Sequence, residues 1–123
     1  MMEAMESIRE EVEGCGVRCY LSYPKTDPEG DFAVLSMTSS VPKAVDSSGV
    51  EYVTTTDYSL HLYTEGSQRY SLSKAEEIAA RLSLLHVRRL GLSGAYSGDR
   101  GLIYRVLSLE HTVDERGIGY MER

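Results

Sequence analysis

The chain has 123 residues, 41% of them hydrophobic and 26% charged. That suits one globular domain and excludes a disordered segment. Thirteen Lys and Arg against nineteen Asp and Glu give a formal charge of −6, which argues against general binding to DNA phosphates.

No uncharged apolar run approaches the ~18 residues of a membrane span. The N-terminus carries Glu3, Glu6, Glu10 and Glu11 and has no apolar core, so it does not read as a secretory signal. Residues 1–60 hold eleven acids and four bases, residues 61–123 eight and nine. This asymmetry suits head-to-tail assembly or electrostatic steering, and also arises by chance.

The first predicted element is a helix over Met2–Glu13. Met2, Met5, Ile8 and Val12 recur at three- and four-residue steps, and Gly14 and Gly16 stop it. A strand over Val17–Tyr23 follows, with Cys15, Val17 and Cys19 on one face. Pro24, Asp27, Pro28 and Gly30 form a turn cluster. A second strand is expected over Phe32–Thr38. A third over Val41–Val45 is interrupted by Pro42, which fits an edge or irregular strand.

Val50–Tyr63 alternates most clearly. Tyr52, Thr54, Thr56, Tyr58, Leu60 and Leu62 form the more apolar set and are expected to face the core. At ~3.3 Å per residue such a strand spans about 45 Å, long enough for one end to project beyond the subunit. Ser73 and Glu76 read as a capping box for a helix over Lys74–Leu85. Residues His86–Leu90 either end that helix or begin a strand. A hairpin then pairs Gly91–Ser97 with Leu102–Val113 across Gly98–Gly101. Residues 114–123 have no periodicity and read as an arm, flexible or ordered by a partner.

Residues 1–113 are thus expected to form one α+β domain. Its sheet is mostly antiparallel, with an N-terminal helix and a second helix before a C-terminal hairpin.

Chemistry-bearing motifs are scarce. Cys15 and Cys19 have neither redox nor zinc spacing and read as packing. His61, His86 and His111 lack local ligand spacing. Asp27, Glu29 and Asp31 alternate but lack the calcium-loop pattern. No phosphate-binding glycine motif or nucleophile elbow occurs. No metal, cofactor or enzymatic activity is therefore expected. Nine Tyr with one Phe and no Trp favour interfaces, where a ring is half buried and its hydroxyl wet. Tyr23, Tyr70, Tyr96 and Tyr120 sit near element ends and are interface candidates.

Three segments carry a resemblance: the strand Thr-Thr-Asp-Tyr-Ser-Leu-His-Leu-Tyr63, the helix Ala75-Glu-Glu-Ile-Ala-Ala-Arg-Leu82, and the strand opening Tyr104-Arg-Val-Leu-Ser-Leu-Glu-His-Thr and running to Gly117. Over residues 50–117 the chain resembles the tail-terminator (tail-completion, minor capsid) proteins of long-tailed bacteriophages. The resemblance implies a virion protein at the head–tail junction, assembled in the bacterial cytoplasm. It implies a hexameric ring that stops tail-tube growth, contacts the tail-tube protein and the head connector or stopper, and lets DNA pass without specific binding.

On that reading Asp27, Glu29, Asp31, Asp46 and Glu51 are candidates for the lumen wall, or else solvated turns outside it. Ile118, Tyr120 and Met121 form an apolar cluster suited to docking the arm on a neighbour. Two other readings stay open: a head–tail connector or stopper subunit, and a small dimeric α+β module that binds a ligand among its Tyr residues.

Overall fold

The computed structural model runs α1 (Met2–Gly14), β1 (Arg18–Tyr20), β2 (Phe32–Val45), β3 (Glu51–Thr64), α2 (Gln68–Ser83), β4 (Val87–Leu92), β5 (Tyr96–Ser97), β6 (Ile103–Asp114) and β7 (Gly119–Tyr120). It describes the backbone of residues 2–26, 28–45, 51–94, 96–97, 102–114 and 119–120. This is the expected α+β fold. Five strands lie in the order β1-β2-β3-β6-β4, and β5 and β7 add to β6. Only β1 and β2 are parallel; the other pairs are antiparallel.

Residues paired across strands share a sheet face, so register sorts the side chains into two sets. One face carries Ala33 opposite Leu62, Leu35 opposite Leu60, and Leu107 opposite Leu60. The helices cover it. Ile8 and Val12 of α1 and Ala75, Ile78 and Leu82 of α2 pack there, fully buried, with Tyr58, Leu109 and Val87. These helix residues fall at three- and four-residue steps, which makes one apolar stripe per helix. Cover stops at Met37, which pairs with Tyr58 and is 44% exposed.

The helices are also tied to each other by polar groups. Arg81 of α2 donates from Nε to Glu11 Oε2 at 2.9 Å and from Nη1 to the Gly14 carbonyl at 3.3 Å. The second bond satisfies a free carbonyl at the end of α1. Arg105, 8% exposed, reaches from β6 beneath the first turn of α2. Its Nε donates to Ser71 Oγ at 2.9 Å.

Cys15, Val17 and Cys19 share a buried face, as expected, and both cysteines are free thiols. Burial first, and Glu13 second, push the Cys19 thiol up to about 12, which leaves it inert at neutral pH.

Several boundaries differ from expectation. The first strand shortens to Arg18–Tyr20. Phe32–Thr38 and Val41–Val45 fuse into one 14-residue strand. Register shifts between Met37 and Ser39 and between Pro42 and Ala44 absorb the extra residues. Pro42 is tolerated because β1 covers only Phe32–Val34, leaving the outer edge beyond without a strand among the described residues.

The central strand is Glu51–Thr64, with Thr56, Tyr58, Leu60 and Leu62 buried on the predicted side. Its far end is flanked by β2 and by β6, which continues to Asp114 opposite Val53. The second helix starts at Gln68 rather than at Lys74. Gly66, at φ +96, turns the chain directly after β3, and Ser67 Oγ accepts the Tyr70 N–H at 3.0 Å. Ser73 and Glu76 therefore lie inside the helix. His86, at φ 62, ends the turn after α2, and β4 begins at Val87.

Candidate interaction surface

The second sheet face carries no helix among the described residues, and its side chains change in character row by row. The first row is Phe32, Tyr63 and Tyr104, with Tyr96 of β5 opposite Tyr104. The next is Tyr20, Val34, His61 and Val106. Ser36, Ser59, Ser108 and Gly91 follow. Then come Ser39, Asp57, Glu110 and Arg88. The face thus grades from aromatic, through small, to charged.

The charged row is partly paired within itself, with Asp57 Oδ1 and Arg88 Nε buried without a hydrogen-bond partner among the described residues. Ser39 Oγ donates to Asp57 Oδ2 at 3.0 Å, and Arg88 Nη2 donates to Glu110 Oε1 at 2.8 Å. Beyond it, the Thr55 and Thr112 hydroxyls hydrogen-bond at 3.1 Å.

The aromatic end is a second, smaller core. Phe32 is fully buried and Val34 and Leu102 nearly so, with Tyr20 and Tyr63 packed against them. Phe32 and Tyr63 stack at 4.5 Å with planes 11° apart, and Tyr63 and Tyr104 at 4.9 Å with planes 29° apart. These separations match the ~4.8 Å between neighbouring strands. The rings therefore stand upright on the sheet with their faces against one another. Tyr23, from the β1–β2 connection, meets Phe32 and Tyr63 edge-on at 6.2 and 6.0 Å. Tyr20 meets Phe32 the same way at 6.3 Å.

His61 lies parallel to Tyr104 at 5.9 Å, and its Nδ1 is 2.7 Å from the Tyr104 hydroxyl. Burial lowers the His61 pKa. Burial, reinforced by Tyr23 and Tyr104, pushes the Tyr63 hydroxyl up to about 12. The rings of the aromatic end are consequently uncharged at neutral pH, and Arg18, opposite Phe32, stands at its outer edge.

This geometry limits what the surface can bind. A nucleobase platform needs ring faces turned to solvent. Here Tyr63 stacks between Phe32 and Tyr104, so both of its faces are used within the row. The tyrosine combination of apolar body and polar tip suits a protein partner.

The interface candidates separate. Tyr23 is 55% exposed and belongs to the aromatic cluster. Tyr70 is exposed at the start of α2, where its hydroxyl donates to Asp31 and Lys74 Nζ lies 5.7 Å from its ring centre. Tyr96 and Tyr120 are placed by backbone only, opposite Tyr104 and Thr112. Gly119–Tyr120 pairs with Thr112–Val113 of its own chain, so this part of the arm has an intramolecular partner. Ile118 and Met121 lie outside the described residues.

Among the acidic candidates, Asp31 is committed to structure. It accepts the Glu65 N–H at 2.9 Å as well as the Tyr70 hydroxyl, and so fastens the entry of β2 to the start of α2. Glu29 is exposed. Glu51 is placed by backbone only, opposite Val45. Asp27 and Asp46 lie outside the described residues.

Phe32, Tyr63, Tyr104 and His61 were not legible as a group. Their only sequence signal is that His61 and Tyr63 share the less apolar face of the central strand. No group of three or more His, Cys, Asp or Glu among the described residues is placed to hold a metal ion. No known protein family matches the chain, and no characterised protein matches its sequence.

Proposed function

We propose that the chain is a structural assembly subunit that meets another copy of itself through the aromatic end of the open sheet face. Within that class, we take it to be a ring-forming tail terminator that contacts the tail-tube protein and the head connector. The observation that carries the reading is the upright aromatic row, with Tyr23 exposed at its margin. Among the described residues these aromatic rows hold no carboxylate, so on a chain of net charge −6 they are where a second copy meets least like-charge repulsion. The resemblance over residues 50–117 supports the tail-terminator assignment. On this reading Glu29 remains the exposed candidate for a lumen wall, and DNA slides past without binding.

Negative-stain images of the purified chain, alone and with tail tubes, test the proposal. Small rings, or caps on tube ends, support it. Compact dimers that ignore tubes favour the ligand-binding module, and free monomers exclude both.

A further inference from the structure

We propose that His61 and Tyr104 form a proton-operated switch on the aromatic face, which reverses the direction of their hydrogen bond and places a positive charge in the ring cluster. Its effect on assembly rests on the self-association reading. The switch itself does not.

The pair is joined by Nδ1 and a hydroxyl 2.7 Å apart, with the rings parallel. In neutral imidazole Nδ1 is free to accept the tyrosine hydrogen. In imidazolium both ring nitrogens carry hydrogen, so Nδ1 only donates. Protonation therefore makes the Tyr104 oxygen an acceptor and turns its hydrogen elsewhere. A partner docked against the Tyr104 edge meets the opposite polarity.

The surroundings make that charge consequential. β2 presents Phe32 and Val34, and β6 presents Val106 and Tyr104. Along β3 the neighbours on this face are Ser59 and Tyr63. Tyr20 of β1 lies beyond Val34, and the connection contributes Tyr23. Among the described residues the charged groups on this face are Arg18, opposite Phe32 at the outer edge, and Asp57, Glu110 and the Arg88 paired to Glu110, all two rows away. At ~3.4 Å per residue, Asp57 is about 14 Å along the strand, beyond a Debye length at physiological salt. Among the described residues no carboxylate neighbours the imidazolium. The lowered pKa of His61 agrees with this, and the switch operates below the ordinary value of about 6.5.

The test has two arms on the full chain. Nitrogen-15 NMR of the His61 ring from pH 8 to 4.5 is expected to show an unprotonated Nδ1 at pH 7. Nδ1 gains its hydrogen at a midpoint below 6.5, and Tyr104 resonances move with the same midpoint. Protonated Nδ1 at pH 7, or Tyr104 resonances that ignore the titration, overturns the switch whether or not the chain assembles.

The second arm follows association by light scattering in wild type and His61→Gln. Glutamine accepts the same hydrogen bond but never ionises. Wild-type affinity is expected to fall about tenfold per pH unit per buried His61 below its midpoint, while His61→Gln holds its affinity to pH 5. Equal pH dependence in the two proteins overturns the link to assembly. Failure of both proteins to associate at any pH contradicts the self-association reading and leaves the first arm to decide the switch.

Discussion

Phe32 and Tyr63 stack at 4.5 Å across the β2–β3 pairing, on the sheet face opposite the helices. The fold thus has two apolar clusters on one sheet, and the smaller depends on few side chains. Phe32 is fully buried beneath Tyr20 and Tyr23. Phe32→Ala is expected to cost about 3–5 kcal/mol, within the usual range for a buried aromatic. Urea unfolding monitored by circular dichroism measures it. Tyr23→Ala touches an exposed ring and is expected to cost under about 1 kcal/mol in fold stability, while weakening self-association.

The start of α2 gives a sharper contrast. Ser67 caps the helix and Ser73 lies exposed inside it. Ser67→Ala is expected to cost about 1 kcal/mol, the usual cost of losing an N-cap. Ser73→Ala is expected to be neutral or slightly stabilising, since alanine is the better interior helix residue. Paired thermal melts distinguish the two, and the opposite order would place the helix start at Ser73.

These two serines show what the sequence could and could not reveal. Residues 73 and 76 match the capping box in type and spacing, but the helix begins where Gly66 turns the chain and Ser67 reaches Tyr70. That choice depends on tertiary contacts, namely Asp31 with Tyr70 and Arg105 with Ser71. The apolar alternation in the central strand was readable because burial imposes period two on side chains. The aromatic row was not. It exists only once Phe32, Tyr63 and Tyr104 come into register, and they are 31 and 41 residues apart in the chain. Fusion of the two strands around Pro42 was equally hidden, because bulges leave little local signature.

Acid sensitivity follows from two histidines. Burial lowers the pKa of His61 and of His111, and nearby His86 lowers that of His111 further. A depressed histidine favours the neutral native state. Its contribution is complete above the unfolded pKa of about 6.5 and is lost as pH falls toward the folded value. Denaturation midpoints are expected to be flat from pH 8 to 7 and to fall below pH 6.5. His111→Gln should flatten part of that fall. An unchanged slope in this variant would assign the sensitivity to other groups.

The arm is testable by truncation after Asp114. The buried core residues lie between Ile8 and Leu109, so circular dichroism is expected to remain native. Removing Gly119–Tyr120 uncovers the edge at Thr112–Val113, and we expect weaker assembly. A truncated chain that assembles as well as the full one would make the arm dispensable.

Self-association is the central claim, and native mass spectrometry of the full chain, alone and with tail tubes, tests it most directly. A closed ring of six 13.7 kDa subunits, about 82 kDa, is expected, free or released from tube ends. A monomer at 13.7 kDa in both samples would contradict it.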